Sequence, residues 1–307
     1  MAIVSRLASS FSKVYAERIE PLVFSFRLAK RLAVFDIRGV DDLDTGVLMH
    51  EAGCEVDPAC ARLVKRYRRY YARYARREAD GAQISAGGVP SVLPLHRFAD
   101  FGAYEKVMRK KSGNFVRSAK KARETGYTTA RFAFSNHVPD ICEIRKSKVF
   151  RAFGPVLDAV FLTEDSIGGP PAALQSVSPL ACPSHWEAFL GVFVDAPGHR
   201  QGEVVVDRKL VAYVRLHRVG NTVRYAEFMG HGDHLHGGVM MLLHMDIIRW
   251  LLRADAPESQ GIQYITYGCL EQGGEGLLFW KRKARFEPML LAFPQEGGAR
   301  EVVPDPA

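Results

Sequence analysis

One stretch sets the terms for the rest of the chain. Residues 239–253, VMMLLHMDIIRWLLR, are apolar over most of their length and read as a long helix. Stretches rich in β-formers stand on both sides of it, at 222–229 before and at 262–267 after. Upstream, 202–206 and 210–218 are two further strand candidates around a turn at Asp207, Arg208 and Lys209. Gly220-Asn221 then closes a hairpin into 222–229. Residues 184–194 follow a Ser cap and read as a helix. Downstream come a short helix over 274–283 and a last strand over 289–293.

The first half is patterned less clearly. Residues 1–32 alternate apolar and basic side chains, with Pro21 as a break, and suit an amphipathic helix; a transit peptide is a further reading. Residues 58–77 read as a helix in which eight Arg and Lys interleave with Tyr67, Tyr70, Tyr71 and Tyr74. The spacing of three and four puts the tyrosines on a packed side. Residues 98–126 read as helical with a break at Ser112-Gly113-Asn114, and Gly126 stands where a C-cap glycine would. A strand is expected over 127–134 and a helix over 139–153. Residues 168–183 are rich in Pro, Ala, Ser and Gly, as a linker or lid would be.

Composition narrows the class. The chain has 307 residues, 47% of them hydrophobic and 25% charged, which is a globular and not a disordered balance. A net charge of +8 favours anionic partners such as nucleotide phosphates, coenzyme A, RNA or an acidic membrane face. No apolar run has the length that spans a bilayer. The five cysteines, Cys54, Cys60, Cys142, Cys182 and Cys269, are widely spread and form no CxxC pair. Neither a zinc spacing nor a disulfide framework follows, and a reducing cytoplasm is the expected location.

The order from residue 184 onward resembles the GNAT acyltransferase core. Three local features carry the likeness across 184–295. Residues 202–218, GEVVVDRKLVAYVRLHR, look like the family's hairpin before the central strand. The strand ending Tyr225-Ala226-Glu227-Phe228 runs into a glycine loop and a helix start. Residues 277–288, LLFWKRKARFEP, look like the family's closing pattern of an aromatic pair, a Lys, an aromatic and Glu-Pro. In the first half, Lys111 to Arg117 with Lys120, Lys121 and Arg123 looks like the basic helix of Fem-type transferases, which are tandem GNAT-like proteins drawing on charged transfer RNA.

The resemblance implies an α/β fold with a mixed, largely antiparallel sheet flanked by helices. It implies a basic N-terminal region over 1–168, helical or a degenerate GNAT-like copy, a linker or lid over 169–183, and an acyltransferase domain over 184–307. The implied reaction moves an acyl group from acyl-coenzyme A or another acyl carrier, as co-substrate, to an amine. A Fem-like aminoacyl transferase using charged transfer RNA, bound by 62–77 and 106–123, is one alternative. A non-catalytic RNA-binding protein of the same fold is another. Membrane-surface contact is expected, if anywhere, at 1–32.

Within that frame the central strand bulges, and Phe228, Met229 and Gly230 offer backbone contacts to the carrier. Gly237, Gly238 and Val239 form the phosphate end, because unpaired N–H groups at a helix start attract anions. Glu227 is the candidate base or water-orienting group, with a solvent-facing strand Glu as the plain alternative. His231 is the best placed of the histidines in Gly230-His231-Gly232-Asp233-His234-Leu235-His236 for base or proton relay. Those histidines are not expected to hold a metal. Trp280 stands where many GNAT enzymes have an acidic Tyr, so Tyr267 becomes the candidate acid, with a core-edge aromatic as its plain reading.

Overall fold

In a computed structural model the described residues are 40–44, 57–72, 74–77, 83–84, 88–148, 150–151, 154–155, 162–180, 182–271 and 274–292. The expected amphipathic helix and membrane contact at 1–32 lie outside them. Helix α1, Pro58–Tyr71, starts at Asp57, whose carboxylate accepts from the Ala59 N–H at 2.7 Å. Strand β1, Pro90–Pro94, is buried along its length. Helix α2, Phe101–Glu124, is capped by Asp100 and breaks its geometry at Ser112 (φ −146°, ψ 46°). Strand β2, Thr128–Arg131, and helix α3, Val138–Lys146, complete the first half.

Strand β3, His185–Asp195, occupies the span expected to be helical. The correction has a physical reason. Trp186, Ala188, Leu190 and Val192 alternate toward one buried face, while Phe189 and Phe193 pack on the other. A strand covered on both faces has no polar stripe to reveal its period. Then follow β4, Arg208–Val219, and β5, Thr222–Gly230, with helix α4, Val239–Leu251. Strand β6, Tyr264–Cys269, helix α5, Gly274–Lys283, and the short β7, Glu287–Pro288, close the main sheet.

The seven strands lie in the order β7-β1-β6-β5-β4-β3-β2. All neighbours are antiparallel except β5 and β6, which α4 connects as a crossover. The sheet is therefore mixed and largely antiparallel, with helices on both faces. It draws β1 and β2 from before residue 168 and the rest from after 184, so the two stretches share one sheet. Residues 169–180 run along the surface, tied by Asn136 to Gln175 and by Arg131 to the Ser178 carbonyl.

Helices α2 and α4 cover one face, where Tyr104, Met108, Leu242, Leu243, Ile247 and Ile248 are fully buried. Each such side chain is worth about 1.5–3 kcal/mol of burial. On the other face, α1 packs Tyr67 and Tyr71 against one end of the sheet, and α3 packs Ile141 and Ile144 against the other. The α1 tyrosines thus serve packing, as their spacing predicts. Among the described residues no helix is long and apolar enough to cross a membrane.

Candidate active site

The strand pair β5–β6 holds together for only part of its length. Thr222, Val223 and Arg224 pair with Tyr264, Ile265 and Thr266, and there the ladder stops, although β5 runs on to Gly230 and β6 to Cys269. Two irregularities divide them. On β5, Ala226 is an extra residue between the pairs Leu216–Tyr225 and Arg215–Glu227. On β6, the register toward β1 shifts after Thr266, and Gly268 sits at φ +56°, a conformation that suits glycine. Beyond Arg224, the β6-facing backbone edge of β5 carries no ladder bonds.

The bulge decides which side chains meet. Tyr225 and Phe228 point to the α2/α4 face, where Phe228 lies 5.5 Å from Tyr267 and 5.2 Å from Trp280, centroid to centroid. Trp280 in turn lies 5.8 Å from Phe115 of α2, and it lines a cleft of about 570 Å³ between α2, α4 and α5. Lys110, Lys111, Arg117 and Lys283 rim that cleft, and Gly113 and Met241 open it. The cleft exists because α2 bends at Ser112, whose hydroxyl donates to the Lys283 carbonyl at 2.8 Å. Trp280 Nε1 is buried with no hydrogen-bond partner.

Glu227 and Met229 point the other way, toward α3. Glu227 accepts from the Arg145 guanidinium, from the Tyr213 hydroxyl at 2.9 Å and from Arg215 at 3.4 Å. Burial alone would raise its carboxyl, but the two guanidiniums and the hydroxyl outweigh it and hold the group below its ordinary range. Glu227 is therefore a paired carboxylate and a weak proton acceptor, not the free or solvent-facing group that its place in the strand suggests. Arg215 also binds Glu187 through both carboxylate oxygens, at 3.0 and 2.9 Å, and Glu187 is pushed down to about 2, its own burial being outweighed by His217 and Arg215. Met229 takes the Tyr213 hydroxyl at 3.5 Å from its sulfur.

The loop after β5 folds as a short 3₁₀ turn, Gly232–Gly237. Its histidines go to separate partners. His231 Nε2 lies 3.2 Å from Glu143 of α3, and His234 Nδ1 meets the Tyr127 hydroxyl at 2.8 Å. Burial lowers His234 below its ordinary value. His231 and Glu227 both face α3 but are held by different residues of it.

Gly237, Gly238 and Val239, expected to form the phosphate end, stand where α4 begins beside α2. A Cβ at Gly238 would lie 2.7 Å from the Ser118 carbonyl oxygen, and one at Gly237 would lie 3.4 Å from the Tyr127 ring. Val239 is fully buried. Gly238 thus lets the start of α4 pack closely on α2. Gly230 is likewise closed in, with Met240 and Leu235 within 2.7 Å of an added Cβ.

Two features escaped sequence reasoning. Lys281, fully buried, donates to the Cys269 carbonyl at 2.6 Å and sits 4.9 Å over the Tyr267 ring. Burial pulls its ammonium down to about 8, while Cys269 and Glu271 act against that. His244, also fully buried, bonds Tyr104 at 2.9 Å and Tyr225 at 3.0 Å, and burial pushes it down to about 3. It is a neutral imidazole tying both helices of this face to β5.

No protein-family model and no curated protein matches the sequence. Among solved structures the chain is similar to FemX, at 9% identity and TM-score 0.42, over 65% of this chain and 58% of that one. It is similar to the C-terminal domain (DUF2156) of a putative lysylphosphatidylglycerol synthetase from Agrobacterium fabrum, at 14% identity and TM-score 0.37, over 66% and 58%. It is also similar to a tandem GNAT protein from the clavulanic acid biosynthesis pathway, at 14% identity and TM-score 0.36, over 81% and 59%. The chain thus spans less than two thirds of each of these structures.

Proposed function

We propose that the chain transfers an acyl group from a phosphate-bearing carrier to an amine. The observation that carries this reading is the parting of β5 from β6 beside a cleft with a cationic rim. A carrier whose phosphates rest on Lys110, Lys111, Arg117 and Lys283 has its acyl end near Phe228 and Tyr267. There the unladdered edge of β5 supplies backbone N–H groups that polarise an acyl carbonyl as charge develops on its oxygen. The aromatic rings of Phe228, Tyr267 and Trp280 exclude water from the group in transfer. Tyr267 holds the proton that a leaving group needs, and Lys281 lies 4.9 Å over its ring. Glu227, an anion already held by Arg145 and Arg215 on the opposite side of the strand, fixes the strand that carries those N–H groups. The acceptor attacks as a neutral amine, the carrier leaves with the Tyr267 proton, and the proton that the new amide nitrogen releases restores Tyr267.

Coenzyme A and charged transfer RNA are both phosphate-bearing carriers. The second is favoured by one specific observation. Exposed cations continue along α2 well past the cleft, at Lys106, Arg109, Lys120, Lys121 and Arg123, farther than a small carrier needs. The test is to titrate the chain with acyl-coenzyme A and with aminoacylated transfer RNA. The true carrier raises the melting temperature and supports acyl transfer to added amines. Transfer RNA as carrier gives binding that falls steeply with salt. Tyr267→Phe should then cut turnover about 100-fold with carrier binding retained. Failure of both carriers to bind removes the reading.

A further inference from the structure

Away from the cleft, three soft ligand groups converge in the interior. They are Cys60, at the start of α1, and Cys182 and His185, at the entry to β3. Cys60 is 3% exposed, Cys182 8% and His185 5%. One ligand atom from each lies within 4.8 Å of the other two, and Cys182 Sγ is 3.8 Å from His185 Nδ1. In a tetrahedral site with Zn–S near 2.3 Å and Zn–N near 2.0–2.1 Å, a sulfur and a nitrogen stand about 3.6 Å apart. The present separation is within a few tenths of an ångström of that.

We propose that Cys60, Cys182 and His185 form a zinc site that clamps α1 to the sheet. Charge supports the choice of metal. Two thiolates and a neutral imidazole around Zn²⁺ sum to zero, and a buried site tolerates only a balanced set. Ligand type supports it too, since thiolate with imidazole is a donor set that zinc takes and magnesium or calcium does not. Cys60 stands in the first turn of α1, where unpaired backbone N–H groups favour a thiolate. His185 also lines a cleft of about 290 Å³ with Leu63, Arg66, Leu180 and Glu187, so water has a route toward the imidazole. A water molecule is the simplest fourth ligand.

The site fixes the segment that presents the Arg–Tyr row of α1 against the end of the sheet. It shares no residue with the cleft, so its success or failure leaves the acyl-transfer reading untouched. The test uses the full chain, expressed with zinc in the medium and dialysed against metal-free buffer. Mass spectrometric metal analysis should find about one zinc per chain. Cobalt exchanged into the protein should give thiolate-to-metal charge-transfer absorption with strong tetrahedral d–d bands. Cys60→Ser, Cys182→Ser and His185→Ala should each lower zinc content to roughly a tenth or less, while Cys142→Ala, which changes another buried thiol, should not. If the serine variants fail to fold, Cys60→His keeps a ligand and should retain metal with an altered cobalt spectrum. Three results overturn the proposal: wild-type protein that takes up neither zinc nor cobalt, full zinc content in the three ligand variants, or a Cys60–Cys182 disulfide shown by a mass lower by two hydrogens.

Discussion

The two faces of β5 are held by different physics. On the α2/α4 face, Tyr225 and Phe228 sit among rings, and the polar atoms there are hydroxyls and a neutral imidazole. On the α1/α3 face, Arg224 lies 3.3 Å over the Tyr70 ring, and Glu227 is caught between Arg145 and Arg215. Around Tyr225 the first face keeps charge out, and around Glu227 the second balances it. The contrast teaches that the extra residue at Ala226 sets the faces, because unbroken alternation would put Tyr225 and Glu227 on the same one. With it, Tyr225 pairs with Leu216 and Glu227 with Arg215, neighbours that point to opposite faces. The bulge bends the strand and separates it from β6 while keeping acid and ring apart.

The most severe way to break this comparison is to delete Ala226. The remaining residues keep their faces, so the chain should still fold with near-native circular dichroism. The strand should straighten and its ladder to β6 lengthen. If the parting is what admits the acyl group, turnover should fall by at least about 100-fold, the usual cost of an ångström-scale misplacement. Activity retained in a folded deletion variant would show that the gap is not where the chemistry happens.

Much of this arrangement is legible in sequence. The helix 274–283 and the break at Ser112 are where the pattern puts them, and 222–229 differs from the observed strand by one residue. Local signals produce these features: turn residues, alternation and a broken helical period. What stayed hidden depends on partners far along the chain. Arg145 is 82 residues from Glu227, and nothing near either residue announces the pair. The same blindness applies to Cys60 and Cys182, whose spacing matches no familiar metal motif because α1 and β3 are brought together by the sheet. Gly237-Gly238 shows a different limit. Glycines before a helix read as a phosphate cradle, and no local signal announces the close approach of Ser118 to Gly238.

Acid separates the two faces by the pH at which each weakens. His244 has its folded value lowered from 6.5 to about 3, so between those values the unfolded chain binds a proton that the folded chain refuses. Stability on the ring face is therefore full above pH 6.5 and declines as pH falls toward 3. At pH 5 the loss from this group is roughly 2 kcal/mol. Glu187, lowered from 4.5 to about 2, begins to cost stability only below pH 4.5, and less, because it is 30% exposed. Urea midpoints measured from pH 7 to pH 3.5 should show both. His244→Gln should flatten the curve between pH 6.5 and 4.5, and Glu187→Gln should change it only below that. A wild-type midpoint unchanged between pH 7 and pH 5 would mean that His244 is not held neutral in the core.

The smallest effect sharpens the same contrast from its outer edge. Arg66 of α1 reaches Glu187 at 3.2 Å, but its side chain is 52% exposed, and Glu187 already has the bidentate Arg215. An exposed pair added to a satisfied carboxylate gains little Coulomb energy and loses side-chain freedom. Arg66→Ala should therefore change stability by less than about 0.5 kcal/mol, with any difference vanishing at high salt. Arg215→Ala should cost several times more, because it strips Glu187 of its bidentate partner and Glu227 of one of two guanidiniums. If the two substitutions cost the same, the charged face is a loose surface network in which each cation counts alike. The distinction between an excluded-charge face and a balanced-charge face would then not hold.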